Sequence, residues 1–107
     1  MERVIVLGLG GCSHCEALSQ SLKEEKIPFD FIDADLKENS KLADRMEALL
    51  KTNSYPMVII EKSDGAVYLY RVDNFEEAKE TPIGFATKVG CTTTDSTVAL
   101  IKKYIKK

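Results

Sequence analysis

Two cysteines separated by two residues are the part of this sequence best suited to chemistry. Cys12 and Cys15 enclose Ser13 and His14, and the third cysteine, Cys91, lies far along the chain. Two thiols at this spacing either exchange electrons by forming a disulfide or bind a soft metal ion. The odd number of cysteines argues against a framework of structural disulfides.

The start of a predicted helix at this pair favours the redox interpretation. A thiol attacks a disulfide only as the thiolate, and the free N–H groups at a helix N-terminus favour negative charge. Cys12 falls at the start of an amphipathic helix predicted for residues 13–26, and Cys15 follows one turn later. We therefore expect Cys12 to be the exposed nucleophile and Cys15 the more buried resolving thiol. His14 either adds positive charge beside the thiolate or is a plain exposed residue.

Hydrophobic periodicity predicts four strands and three helices around this pair. The strands cover residues 3–9, 27–33, 57–61 and 66–72, and the helices cover residues 13–26, 40–51 and 95–106. Connections of the β-α-β type favour parallel neighbours, and the turn at Asp64 and Gly65 requires an antiparallel pair. The predicted fold class is α/β, resembling the thioredoxin-like βαβαββα arrangement with a mixed four-stranded sheet flanked by helices. Residues 73–89 exceed this pattern and are expected to form a loop with one helical turn.

A proline stands immediately before the third predicted strand. At that position the missing N–H of Pro56 does not interrupt the strand, and the bond from Tyr55 is a candidate for the cis form. A Cys-x-x-Cys after the first strand with an X-Pro step before the third resembles the glutaredoxin branch of the thioredoxin superfamily. The resemblance implies that Pro56 is cis beside the two sulfurs. It also implies that the backbone of Tyr55 pairs with substrate like an added strand.

The same resemblance implies a binding site for glutathione. In the family a glycine pair precedes the last helix, and a Ser-Asp or Asp-Asp pair grips the γ-glutamyl end of glutathione. Gly90-Cys91 matches the glycine pair in part, and Thr94-Asp95 matches the second pair, when one inserted residue is allowed. The glutathione-binding residues implied by the resemblance are His14, Tyr55, Pro56, Gly90, Thr94 and Asp95.

The chain departs from the family at two positions near the cysteines. Leu9 replaces a lysine three residues before the first cysteine, and His14 replaces a tyrosine just before the second. A cationic contact to glutathione is thus missing. Arg45 or Lys51 on the second predicted helix is either a substitute for it or a solvated helix residue.

Two other functions compete with the glutaredoxin interpretation. The Gly10-Gly11-Cys12 stretch also looks like the loop of copper chaperone domains, which hold Cu(I) between two thiolates without catalysis. That family follows a βαββαβ order, and Pro56 has no role in it. The other alternative is a dedicated reductant of one protein partner, which it would reduce in the way a thioredoxin or a ribonucleotide-reductase redoxin does.

Composition sets the remaining expectations. The chain has 107 residues, of which 44% are hydrophobic and 30% charged, which suits a single globular domain over residues 1–107. A net charge of −2 gives no reason to expect nucleic-acid or membrane binding. We expect a cytoplasmic monomer without bound cofactor or metal, acting on glutathione or disulfide-containing proteins. Cys91 is either a small buried hydrophobe or a partner in a regulatory disulfide.

Overall fold

The computed structural model describes residues 3–72, 80–84 and 86–105, which form one mixed sheet with helices on both faces. The strands are β1 (Arg3–Gly8), β2 (Asp30–Asp33), β3 (Met57–Lys62), β4 (Gly65–Arg71), β5 (Thr81–Ile83) and β6 (Ala86–Cys91). The helices are α1 (Ser13–Glu24), α2 (Ser40–Leu50) and α3 (Thr94–Ile105), with a short 3-10 turn at Lys37–Asn39. Among these described helices, none combines the length and the apolar character that a membrane span needs. The thioredoxin-like order of elements is confirmed, and two strands are added to it.

The strand order in the sheet is β2-β1-β3-β4-β6-β5. β1 is parallel to β2 and β3 is antiparallel to β4, as their connections predict. β3 is antiparallel to β1, so the connection through α2 is not a parallel crossover, contrary to expectation. As a result, the last residue of β1, Gly8, and the first residue of β3, Met57, lie at the same end of the sheet. We call this the Gly8 end.

The chain between β4 and α3 adds two strands where the sequence predicts a loop. β5 and β6 form an antiparallel pair, and β6 runs parallel to β4. The loop prediction is therefore wrong for residues 81–83 and 86–89, and the sheet has six strands rather than four. The expected helical turn at residues 75–79 lies outside the described residues. β5 is the outermost strand, where Pro82 is tolerated because an edge strand leaves part of its backbone unpaired.

Alternation along the strands divides the apolar side chains between two cores. Val6 faces the side of the sheet that α1 and α3 cover, whereas Leu7 faces the side that α2 covers. Cys91, at the end of β6, is 2% exposed in the first core, and burial raises its pKa. This agrees with its interpretation as a small buried hydrophobe.

The first turn of α3 is closed by reciprocal hydrogen bonds between two side chains and the backbone. The Ser96 N–H donates to Thr93 Oγ1 at 3.0 Å, and the Thr93 N–H donates to Ser96 Oγ at 3.0 Å. This is a capping-box arrangement, in which each side chain satisfies an N–H group that the helix leaves without a partner.

We predict that Thr93→Ala lowers the free energy of unfolding by about 1 kcal/mol, because the capping hydroxyl is lost. Thr93→Ser keeps the hydroxyl and should retain most of the stability. Urea unfolding of the three proteins measures the difference. Equal losses in both variants would assign the effect to the threonine methyl group and contradict the capping role.

Candidate active site

Cys12 is the N-cap residue of α1. Its backbone is extended, and its Sγ accepts a hydrogen bond from the Cys15 N–H at 3.3 Å. The preceding turn contains Gly11 at φ +76°, in the left-handed region that favours glycine. The Cys12 sulfur therefore lies where the helix N-terminus favours negative charge, as the sequence predicts.

The two sulfurs of the pair are in direct contact as free thiols. The Cys15 thiol donates to Cys12 Sγ at 2.7 Å, and the Leu9 N–H donates to Cys15 Sγ at 3.5 Å. Cys15 is 1% exposed, whereas Cys12 is partly exposed, so the predicted difference in exposure is confirmed. Burial, together with the hydrogen bond to Cys12, raises the pKa of Cys15 to about 12. Cys15 is thus a protonated donor at neutral pH, and Cys12 is the accessible sulfur.

Gly8 is a site residue that sequence reasoning missed. The sequence places it near the end of the predicted strand over residues 3–9 and gives it no role, whereas in the structure Gly8 is buried within β1 and pairs with Asp33. A Cβ atom at this position would lie 2.9 Å from Cys15 Sγ and 2.9 Å from the Phe31 ring. The missing side chain therefore makes room for the Cys15 sulfur against the end of β1.

The Tyr55-Pro56 peptide bond is cis, as predicted. Met57 pairs with Leu7, so the same antiparallel register places Pro56 across from Gly8, at the Gly8 end of the sheet. Tyr55 is buried in the same apolar cluster as Cys15. These observations bring the Tyr55-Pro56 step and the two cysteines to one region of the protein.

Glu47 is the second residue that sequence reasoning missed. The Tyr55 hydroxyl donates to Glu47 Oε2 at 2.6 Å, which ties the residue before Pro56 to α2. No recognisable sequence pattern links a partly exposed glutamate on a helix to a tyrosine in the loop that follows it. The only available signal is that an aromatic residue with a hydroxyl needs a polar partner when it is buried.

The remaining residues of the predicted glutathione site are more scattered. His14 is exposed in the first turn of α1. Gly90 lies within β6 and pairs with Tyr70, so β4 separates it from β3. Thr94 begins α3, and Asp95 lines a groove of about 330 Å³ along the C-terminal half of α1, together with Ser21. Since Ser21 lies roughly 13 Å along the helix from Cys12, this groove is remote from the Cys12 sulfur.

The two candidate cationic residues also differ in position. Arg45 lines a groove with Gly65, the first residue of β4, at the end of the sheet opposite the Gly8 end. Lys51 ends α2 in a left-handed conformation and begins the segment that leads to Tyr55. Of the two, Lys51 lies on the segment that reaches the cysteines.

Within residues 3–72, 80–84 and 86–105, no three histidine, cysteine or carboxylate side chains form a cluster that could hold a metal ion. The soft donors near the helix start are the two thiols themselves. A two-coordinate Cu(I) site is the metal chemistry that such a pair supports.

We predict that Gly8→Ala destabilises the protein by about 1–3 kcal/mol, because the new methyl group overlaps Cys15 Sγ and the Phe31 ring. Gly10→Ala is the matched control, since a Cβ there meets Asp33 Oδ2 at 3.8 Å, an ordinary contact. Denaturant unfolding should separate the two variants clearly. Equal stability of the two variants would mean that the space at Gly8 is not required.

We also predict that iodoacetamide at pH 8 alkylates Cys12 in the native protein and leaves Cys15 unmodified. The raised pKa of Cys15 favours the neutral thiol, so its reactive thiolate appears only as the pH approaches about 12. Mass spectrometry of peptides from native and urea-unfolded protein gives the result. Equal labelling of both cysteines in the native protein would contradict the assignment of a buried, protonated partner.

Comparison with known families agrees with this geometry. The glutaredoxin family model matches residues 4–64, more than half of the chain, and this stretch includes both cysteines of the pair and the cis proline. A comparison with curated proteins finds no match. With the fold, the cysteine pair at the helix start and the cis proline in place, the chain belongs to the glutaredoxin family.

Proposed function

We propose that the protein is a thiol-disulfide oxidoreductase that reduces glutathione mixed disulfides or protein disulfides. Cys12 is the nucleophile, and Cys15 is the resolving thiol. The observation that carries the proposal is the contact at 2.7 Å between a partly exposed sulfur at a helix N-cap and a buried thiol. Membership of the glutaredoxin family supports thiol redox chemistry at this pair.

In the first step the Cys12 thiolate attacks one sulfur of the substrate disulfide. A bond forms between Cys12 Sγ and that sulfur, the substrate S–S bond breaks, and the second sulfur leaves as a thiolate that takes up a proton. Before the attack, the negative charge on Cys12 is favoured by the helix N-terminus and by the hydrogen bonds from Cys15.

In the second step Cys15 attacks Cys12 Sγ and releases the bound half of the substrate as a thiolate. A Cys12–Cys15 disulfide forms, and two electrons have passed from the dithiol to the substrate. Since only a thiolate attacks a disulfide, Cys15 must lose its proton for this step, and the departing substrate thiolate takes up a proton. A small thiol such as glutathione can replace Cys15 in this step by attacking the substrate sulfur bonded to Cys12. Where Cys15 has reacted instead, glutathione can reduce the Cys12–Cys15 disulfide afterwards.

Glutathione is the proposed co-substrate. Its support is the family match together with the cis proline at the Gly8 end, where an extended peptide can pair with the backbone of Tyr55. His14, Tyr55 and Pro56 lie on the segments nearest the cysteines, and they are the residues of the predicted site that we retain for this role. Contacts from Gly90, Thr94 and Asp95 stay predictions, since β6 and the start of α3 lie further across the sheet.

We predict that Cys12→Ser abolishes the reduction of a cysteine-glutathione mixed disulfide, because the attacking sulfur is removed. Cys15→Ser should retain activity on this substrate, since glutathione can resolve the intermediate, but it should lose the reduction of protein disulfides. Thiol release is measured at fixed glutathione concentration, with Cys91→Ala as a control that leaves the pair intact. A tight stoichiometric Cu(I) complex without any disulfide exchange would contradict the proposal and support the copper-binding alternative.

A further inference from the structure

We propose that Glu47 is a positioning residue, which holds Tyr55 through its hydroxyl so that the backbone before Pro56 is placed to bind a disulfide substrate. This inference rests on the proposed function and names the group that sets substrate affinity at the same site. Glu47 itself lies on α2 and is assigned no contact with the substrate.

Glu47 contacts the segment between α2 and β3 at both of its ends. The Glu47 backbone carbonyl accepts hydrogen bonds from the N–H groups of Lys51 and Thr52, the latter at 3.2 Å, where the helix ends. The Glu47 carboxylate accepts from the Tyr55 hydroxyl at 2.6 Å, just before β3 begins. One residue thus fixes the path of the chain from the end of α2 to Pro56.

The electrostatic surroundings keep the Tyr55 hydroxyl a donor. Tyr55 is 9% exposed, and burial, followed by the hydrogen bond to Glu47, raises its pKa. The charges of Asp44 and Asp35 act in the same direction. The hydroxyl therefore keeps its proton across the physiological pH range. A hydrogen bond to a carboxylate is stronger than one between neutral groups, so it restrains the tyrosine effectively.

The restraint acts on the part of the chain that faces the cysteines. The Tyr55 ring belongs to the same apolar cluster as Cys15, Leu7 and Met57. Its hydroxyl is tied to α2 on the other side, so both ends of the side chain are held. Releasing the hydroxyl leaves only the apolar contacts and allows the Tyr55 backbone to shift relative to Cys12. Substrate binding should weaken, whereas the reactivity of the Cys12 sulfur should not change.

The test distinguishes an effect on substrate binding from an effect on the nucleophilicity of Cys12. Tyr55→Phe removes one oxygen, Glu47→Ala removes the acceptor, and Glu47→Gln restores an acceptor oxygen without the charge. Tyr104→Phe is the control, because the hydroxyl of Tyr104 on α3 also donates to a carboxylate, that of Glu80, away from the Cys12–Cys15 pair. Each variant is assayed for KM and kcat with a peptide containing one intermolecular disulfide. The rate of Cys12 alkylation by iodoacetamide and the Tm are measured in parallel.

We expect Tyr55→Phe and Glu47→Ala to raise KM by up to roughly tenfold, because substrate binding must then supply the ordering of the Tyr55 backbone that the hydrogen bond to a charged group provides. Their kcat and Cys12 alkylation rates should stay close to those of the unmodified protein. Glu47→Gln should recover much of the affinity, and Tyr104→Phe should leave KM unchanged. If Glu47→Ala does not fold, Tyr55→Phe alone decides the question.

Two results would overturn the inference while the proposed function stands. One is a KM for Tyr55→Phe equal to that of the unmodified protein. The other is a fall of kcat, Cys12 alkylation rate and Tm in Tyr55→Phe that equals the fall of the same three quantities in Tyr104→Phe. Failure of the proposed function gives a different pattern. The unmodified protein would then be alkylated at Cys12 but would reduce no disulfide, and the positioning role would fall with it.

Discussion

The Cys15 sulfur packs against the bare backbone of Gly8, and the geometry of the site follows from this contact. A side chain on Gly8 would overlap the sulfur, with its first carbon only 2.9 Å away. Because Gly8 has no side chain, the Cys15 sulfur can lie against β1, and α1 begins directly beyond the end of that strand. Cys12 is the N-cap of α1, and Cys15 lies one turn inside it. The antiparallel register of β1 and β3 then brings Pro56 across from Gly8. The thiols and the cis proline are thus placed by backbone pairing at the Gly8 end of the sheet.

Burial divides the two thiols between different roles. Two thiolates in contact would repel each other, so only one sulfur of the pair carries charge readily. The structure assigns the proton to Cys15, whose burial raises its pKa to about 12, and leaves the partly exposed sulfur of Cys12 at the helix N-terminus. A buried neutral thiol in contact with an accessible sulfur is the reduced form of a pair that can close to a disulfide.

The added strands change the C-terminal half of the family's arrangement. α3 follows β6 rather than β4, so it starts one strand further from β3, and neighbouring strands are about 4.8 Å apart. Asp95 accordingly lines a groove along the C-terminal half of α1. The family match ends at residue 64, before β4, so it includes the cysteine pair and the cis proline but neither β6 nor α3. Contacts to substrate from α3 therefore have weaker structural support than those from the Tyr55-Pro56 step.

Local patterns in the sequence were sufficient for the helices, the first four strands apart from the start of β2, and the cysteine pair at a helix start, and they made the Tyr55-Pro56 bond a candidate for the cis form. Each of these depends on residues close together in the chain, through periodicity, capping or the special geometry of proline. Tertiary structure alone decided the packing of Cys15 on Gly8 and the hydrogen bond from Tyr55 to Glu47. It also decided the antiparallel pairing of β3 with β1 and the formation of β5 and β6. The first three depend on which distant segments become neighbours, and no periodicity encodes that. β5 escaped prediction because it is a short, largely exposed edge strand, and β6 because Thr87, Lys88 and Gly90 interrupt its apolar residues, so neither shows a clear hydrophobic pattern in the sequence.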